Sequence, residues 1–573
     1  MVAFILSWAV IFIVLFCFGD MLIVLYNRAC GRNEKYSCLD TLLLGMSFLI
    51  IPLSVWSFWL PSNHYFLAVS VAASLLYCAI SRKRMRLAFS RIKTGIGALR
   101  TWPIILITLC ILLCLSAWIW EGYVYDSLYY QQQAIRWNEE YRIIPGLGNL
   151  GDRLAFNSNY LLLSSIFTFR FLFGEPVYSL QGLFATCLIA WTLIDLFRSG
   201  YESKRLLVFA SLALFYALSV FFLQNTSTDL LPNLIIFYLV AKYMYDPDLF
   251  NKNYLLAVVL VFIITLKLSF SAFLLLPLYV AYRIWKEKKY SAIVFCLTIS
   301  LFIVAAWVAR NVIVSGYAVY PVYQIDLFSF DWKIPEEIAI AQDNYITKFG
   351  RIYLKNLVYR YPDFNRDPLP IIYLTFFMYL LLFLSATALA CKLVKGKALW
   401  TKLLNPVFTA LIITLLLWFV KGPDARFVHG TICAAIMYGF SLLIPADTKL
   451  PRWGKGTLGL VILAFAVWSV VFFAQHYKEV ITESKSKTKY KLSEILYKPC
   501  PFRSTMAARG METPLFQPYY LGDSILIHLH SQNLVLDDIP SAMDFDYTKG
   551  RFIDYTKLEN RGKRIEDGFR LRE

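Results

Sequence analysis

Asp126 lies a few residues past the apolar run PIILITLCILLCLSAWIW (103–120), within the stretch YVYDSLYYQQQAIRWNEEYRIIPGLGNLGDRLAFNSNY (123–160). A carboxylate at the mouth of such a run is partly desolvated yet within reach of a polar solute. It can take a proton from a hydroxyl as that oxygen attacks a sugar carbon, which is general base catalysis. The plainer alternative is an interfacial acid that marks a helix end and faces water. A second acid, Asp229, sits in the turn NTSTDLLPN (225–233). Together the two could share acid/base work or hold a divalent cation, Mg or Mn, through oxygen ligands. Alternatively Asp229 is simply an N-cap ahead of Pro232. Arg153 and Asn157, in GDRLAFNSNY, add a guanidinium and an amide suited to positioning an acceptor. Arg310 and Asn311 close another apolar run, and Lys421 and Arg426 flank the turn in KGPDARFVHG. The arginine fork matches phosphate oxygens and lysine adds a mobile point charge, so these three cations suit a phosphate or pyrophosphate. Snorkelling to lipid headgroups is the alternative for any one of them.

Helices that cross a bilayer must carry these residues. The chain has 573 residues, of which 58% are hydrophobic, 17% aromatic and only 16% charged. Each crossing needs about 20 apolar residues, and such runs recur along the chain, which predicts an all-α polytopic membrane protein. The net charge of +18 is concentrated in short loops between apolar runs. That pattern reports topology and argues against a nucleic-acid partner. The first run, 2–26, lacks a basic leader and a small-residue cleavage site and reads as a retained helix. The segment SRKRMRLAFSRIKTGIGALR (81–100) has seven Lys or Arg and no acid, and reads as a cytoplasmic loop.

Counting from that loop, spans are predicted at 2–26, 40–60, 63–80, 103–120, 178–197, 205–223 and 232–246, then at 290–310, 369–391, 405–420, 427–445 and 455–473. The long run YLLAVVLVFIITLKLSFSAFLLLPLYVAYRIW is interrupted by Lys267 and Ser269 and reads as a hairpin of two short helices, for about 12–14 crossings in all. Both termini then lie outside, as do the loops 121–177 and 311–368 and a tail, 474–573, that reads as a small α/β or β-rich domain. Residues 1–120, 178–310 and 369–473 form the N-terminal, central and C-terminal helical blocks. On this count Asp126, Asp229, Arg310, Lys421 and Arg426 emerge on one side.

Other features read more plainly. Tyr123, Tyr125, Tyr129, Tyr130 and Trp137 could stack on sugars, but an interfacial belt accounts for most of them. NYLLLSSIFTFRFLFGEP (159–176), with Arg170 inside it, predicts a helix lying in the interface as one wall of a lipid groove. His528 and His530 alternate on a predicted strand, a pairing more often structural than metal-binding. Of the eleven cysteines only Cys500 is placed outside, so no disulfide framework follows.

The arrangement of a first-loop acid, interfacial helices, a middle-span Arg-Asn and a late Arg426-Phe427 resembles the GT-C superfamily of integral-membrane glycosyltransferases. More narrowly, PGLGNLGDRLAFNSNY, TLKLSFSA, RNVIVSGYAVYP, DWKIP, KGPDARFVHG and RGKRIEDGFRL are similar to blocks of a bacterial multi-pass family. That family's pattern often has histidine where this chain has Tyr130 and Gly151, a departure that bears on metal dependence and acceptor choice. The superfamily resemblance implies Asp126 as base and Arg426 at the phosphate of a polyprenyl-linked donor. It implies inverting transfer of a sugar from a polyprenyl-phosphate or diphosphate carrier to a glycan, lipid or protein, on the periplasmic face of a bacterial inner membrane. Two rivals remain: an oligosaccharide polymerase or ligase, and a transporter or flippase. The second predicts ionisable groups at mid-bilayer depth, of which Asp20 and Lys267 are the candidates, and an internal repeat, of which the sequence has none.

Overall fold

The computed structural model describes residues 1–118 apart from 98, 126–359 apart from 224–225, 369–395, 405–477 apart from 446–447, and in the tail 497, 499, 516–521, 525–530, 537, 539–543 and 557–572. Tyr123, Tyr125 and Cys500 lie outside the described residues. The apolar runs fold as helices because a backbone among apolar neighbours must satisfy its own hydrogen bonds. In chain order they are α1 (Val2–Cys30), α2 (Cys38–Trp56), α3 (His64–Ile80), α4 (Arg82–Gly97), α5 (Thr101–Trp118), α6 (Gln132–Glu140), α7 (Asn159–Ile166), α8 (Arg170–Phe173), α9 (Leu180–Arg198) and α10 (Ser203–Leu223). There follow α11 (Leu230–Tyr245), α12 (Leu249–Lys252), α13 (Leu256–Leu266), α14 (Leu275–Lys286), α15 (Tyr290–Ser315), α16 (Glu336–Tyr359), α17 (Leu369–Lys395), α18 (Pro406–Lys421), α19 (His429–Ser441) and α20 (Arg452–Tyr477).

Local chemistry sets many of the ends. Ser37 and Asp40 form a reciprocal capping box at the start of α2. Asn405 caps α18 just ahead of Pro406, whose missing N–H falls where no intrahelical partner exists. Gly31 (φ 61°) and Gly316 (φ 82°) end α1 and α15 in the left-handed region.

Among the described residues, six helical segments are long and apolar enough to cross a membrane: α1, α2, α9, Leu268–Lys286, α15 and α17. A further bent pair, α3 with the start of α4 at 94°, passes the same test when its two halves are counted as one span, and six other apolar helices are shorter. The protein is thus a helical, polytopic membrane protein. Two local readings change. Most of the basic segment 81–100 is helix (α4) and not loop, held by Arg84, which donates to Asp20 at 2.7 Å while Tyr77 donates to the same carboxylate at 2.6 Å. Asp20, buried in α1, is thus ion-paired with Arg84. The segment 159–176 is not one surface helix: it breaks at Phe169 (φ 52°), and α7 is buried throughout. Its Arg170 can turn inward because Glu139 accepts from it at 3.2 Å and Asp537 at 2.8 Å.

The long run around Lys267 is interrupted where the sequence predicts. α13 ends at Leu266, Lys267 is extended, and a 3-10 segment, Leu268–Leu274, leads into α14. The two arms pack against each other. In the tail, β1 (Phe516–Leu521) pairs antiparallel with β2 (Ile525–His530), which pairs parallel with β3 (Ser541–Met543). β4 (Leu558–Asn560) and β5 (Phe569–Leu571) form a separate antiparallel pair.

That last pair locks onto the first loop. Phe569 N–H donates to Pro145 C=O at 2.9 Å, and Gly146 N–H donates to Ile313 C=O at 2.8 Å. Asn149 Nδ2 donates to the carbonyls of Trp332 (2.8 Å) and Phe569 (3.2 Å), and Arg561 pairs with Asp331 at 2.8 Å. Four of the quoted motif blocks, PGLGNLG, RNVIVSG, DWKIP and RGKRIEDGFRL, are therefore one interlock, built for shape more than for chemistry.

Candidate functional site

Asp126 ends on a turn of π-helix, Ser127–Gln131, a local widening frequent at functional sites. Its Oδ2 lies 2.6 Å from Arg426 Nη2 and its Oδ1 3.0 Å from Arg153 Nη1. Burial alone would raise the carboxyl's pKa. The Arg426 and Arg153 guanidiniums outweigh it and hold the group below the usual carboxylate range. Arg426 in turn places Nε 3.0 Å from Asp424 Oδ2, and Asp424 is almost fully buried. Asp229, reached from a different helix, pairs with Lys267. It stands at the N-cap position of α11, but its side chain caps nothing. Lys267 Nζ also sits 3.8 Å from the centre of the Phe427 ring, with Arg426 Cζ 5.0 Å from the same ring. Three acids and three cations are thereby joined in direct ion pairs.

Neutral groups hold the charged ones in place. Thr226 N–H donates to Ser127 Oγ at 3.2 Å, fastening the Asp229 turn to the π turn. Asn233 on α11 donates to the Asp229 and Phe427 carbonyls, each at 2.9 Å, and its Oδ1 accepts from Thr431 N–H at 3.0 Å. One amide thus ties the Asp229 turn to the loop that carries Arg426. Ser158 Oγ donates to Leu266 C=O at 2.7 Å and Asn159 Nδ2 to Thr265 Oγ1 at 2.8 Å, so the FNSN segment caps the end of α13 just before Lys267. Arg153 is boxed by aromatic rings, with Tyr129 at 4.5 Å, Tyr345 of α16 at 5.0 Å and Tyr130 at 5.9 Å from Cζ. These distances suit cation–π contact, so Tyr129 and Tyr130 serve the site as well as any interfacial belt.

The structure does not bring every candidate to this cluster. Arg310 is buried beside neutral partners: it donates to Asn157 Oδ1 at 3.2 Å, to Asn138 Oδ1 at 2.8 Å and to Ser57. Asn157 is further bound to Trp307 through Trp307 Nε1 to its carbonyl, 2.6 Å. The two residues pin α15 to the loop that carries Arg153, and so act at one remove. Lys421 is exposed and pairs with Asp343 on α16 at 3.3 Å. The donor set also fits a divalent cation poorly: Asp126 faces two guanidiniums, Asp229 faces an ammonium, and among the described residues no three His, Cys, Asp or Glu side chains gather as ligands. Lys267 and Asp424 are members that the sequence reading did not put in the site. The signal for Lys267 was its position, an ionisable group inside an apolar run. The signal for Asp424 was its place in the polar loop KGPDARFVHG, among charged residues that emerge on the same side, although no role was assigned to it.

A small groove lies at Arg426, between α16 and α17. Leu354, Leu357 and Ile371 give it an apolar flank, and Asp424, Arg426 and His429 a polar end. Gly350 lets α16 approach closely, since a Cβ there would come within 2.8 Å of Pro423 N. No curated protein and no solved structure matches the chain. A family model described as a domain of unknown function, DUF8201, matches residues 1–433, a span that includes every member of the ion-pair cluster, and the chain belongs to that family.

Proposed function

We propose that this protein is a GT-C-type glycosyltransferase of a bacterial plasma membrane, with its active site facing the periplasm. It transfers a sugar from a polyprenyl-phosphate or polyprenyl-diphosphate carrier to a hydroxyl of a glycan, lipid or protein. The observation that carries the reading is the contact between Asp126 and Arg426 at the head of the α16/α17 groove. It sets a carboxylate and a phosphate-matching guanidinium side by side, with the apolar residues Leu354, Leu357 and Ile371 flanking Arg426. In this reading Asp126 takes the proton of the acceptor hydroxyl as its oxygen attacks the anomeric carbon, and the bond from that carbon to the phosphate oxygen breaks with inversion. Arg426 stabilises the charge left on the phosphate, the kind of electrostatic contribution that is usually the largest. Arg153 and its rings orient Asp126 and border the acceptor. Asp229 and Lys267 keep the surrounding charge matched, and no step needs a metal.

The test is transfer from a synthetic short-chain polyprenyl-phosphate sugar in membranes that express Asp126→Asn and wild type to equal levels. A general base is worth about 10²–10⁴-fold, so the variant is expected to lose at least ~100-fold. Full activity in Asp126→Asn removes the reading's central point. Movement of intact lipid-linked sugar across the bilayer, with no transfer, would favour a flippase instead.

A further inference from the structure

Among the described residues Arg426 pairs with Asp126 and Asp424, and the first of these is the proposed base. Asp424 belongs to the same turn: its carboxylate also accepts the Arg426 backbone N–H at 3.1 Å, so it is fastened beside the guanidinium. Asp126 comes from another element, 300 residues earlier in the chain, and reaches Arg426 only through its side chain. The charged and titratable groups facing Asp126 are Arg426, Arg153, Lys267 and the Tyr130 hydroxyl. Lys267 is itself engaged with Asp229.

An anion cannot simply add to such a cluster. The direct pairs already match acid to cation, and a further unpaired negative charge in a desolvated site is strongly disfavoured. It can enter by exchange, replacing a carboxylate on a guanidinium whose fork fits phosphate oxygens equally well. Asp126 is the carboxylate able to leave, because Arg153 at 3.0 Å keeps it paired after it lets go of Arg426.

We propose that the donor's phosphate enters by displacing Asp126 from Arg426, so that donor binding itself releases the carboxylate that acts on the acceptor. The idea rests on the transferase reading and adds its order of events. Without donor the base is locked in an ion pair, and with donor it is turned toward the acceptor. The exchange makes and breaks only ion pairs.

Binding of farnesyl phosphate to purified protein tests it, with inorganic phosphate and farnesol as parallel probes. Removing the internal competitor should tighten anion binding, so Asp126→Asn is expected to bind farnesyl phosphate at least ~10-fold tighter than wild type, with farnesol unchanged. Arg426→Gln is expected to lose at least ~10-fold. Should Asp126→Asn not fold, the charge-matched pair Asp126→Asn/Arg153→Gln is compared with Arg153→Gln alone, and the same tightening is expected. Equal or weaker binding when Asp126 is removed overturns the exchange. Inorganic phosphate binding as tightly as farnesyl phosphate overturns the assignment to a lipid-linked head. Sugar transfer without the tightening sinks the exchange and leaves the transferase reading standing. The tightening without transfer from any donor does the reverse.

Discussion

At the scale of single residues, Asp126 shows how environment selects among the roles a carboxylate can play. Near the end of an apolar run it could have been a solvated helix-end marker, but two guanidiniums within 3.0 Å make it an ionised, held group. Its depressed folded pKa has a definite consequence for stability. A carboxyl lowered in this way contributes above its unfolded pKa of about 4, and the contribution is lost as pH falls through the folded value. The difference in thermal stability between wild type and Asp126→Asn is therefore expected to be widest near neutral pH and to close below about pH 4. A difference that widens on acidification would mean that the arginines do not hold the charge. Arg153 carries the complementary lesson. Three rings around its guanidinium plane and an acid at its tip suit arginine and not lysine, whose point charge cannot stack in the same way.

At the scale of elements, the break at Lys267 is what brings a cation to the site. A continuous helix would place that ammonium on a helix flank among apolar neighbours. The interruption, capped by Ser158 and Asn159, turns it toward Asp229 and Phe427. Breaking one half of a buried pair costs about 3–5 kcal/mol, whereas replacing both halves with apolar groups is often neutral. Asp229→Leu is accordingly expected to destabilise the protein by ~3–5 kcal/mol, and Asp229→Leu/Lys267→Met to recover most of that, read by thermal unfolding in detergent. If the double variant is no more stable than the single, the pair is not what the break serves. The neighbouring contact at Gly430 is just as close: a Cβ there would meet Asn233 C=O at 2.7 Å, so the Arg426 loop sits where it does only because residue 430 has no side chain.

At the scale of the whole molecule, the last described residues close over the first loop. Phe569 is fully buried, its backbone bonds to Pro145, and the Asn149 amide bridges Phe569 to Trp332. Phe569→Ala is expected to cost about 3–5 kcal/mol, as large-to-small core changes do, and to speed proteolysis within 145–156 and 326–334. An unchanged cleavage pattern would show that the interlock does not hold these loops. Much of this architecture was legible beforehand, because hydropathy and capping are local: the helical runs, the interruption at Lys267 and the Asn405–Pro406 start need only neighbours in sequence to be read. The sequence by itself determined a helical membrane protein with acids and arginines gathered at helix ends. It did not determine which of them meet. Arg310 and Lys421 looked as suited to phosphate as Arg426, yet Arg310 is taken up by Ser57, Asn138 and Asn157, and Lys421 by Asp343. Asp424 and Lys267 entered the cluster instead. Only the tertiary structure decided this, because the energy of a buried charge depends on which opposite charge reaches it through space, and apart from Asp424 beside Arg426 the partners in the cluster lie 27 to 300 residues away along the chain.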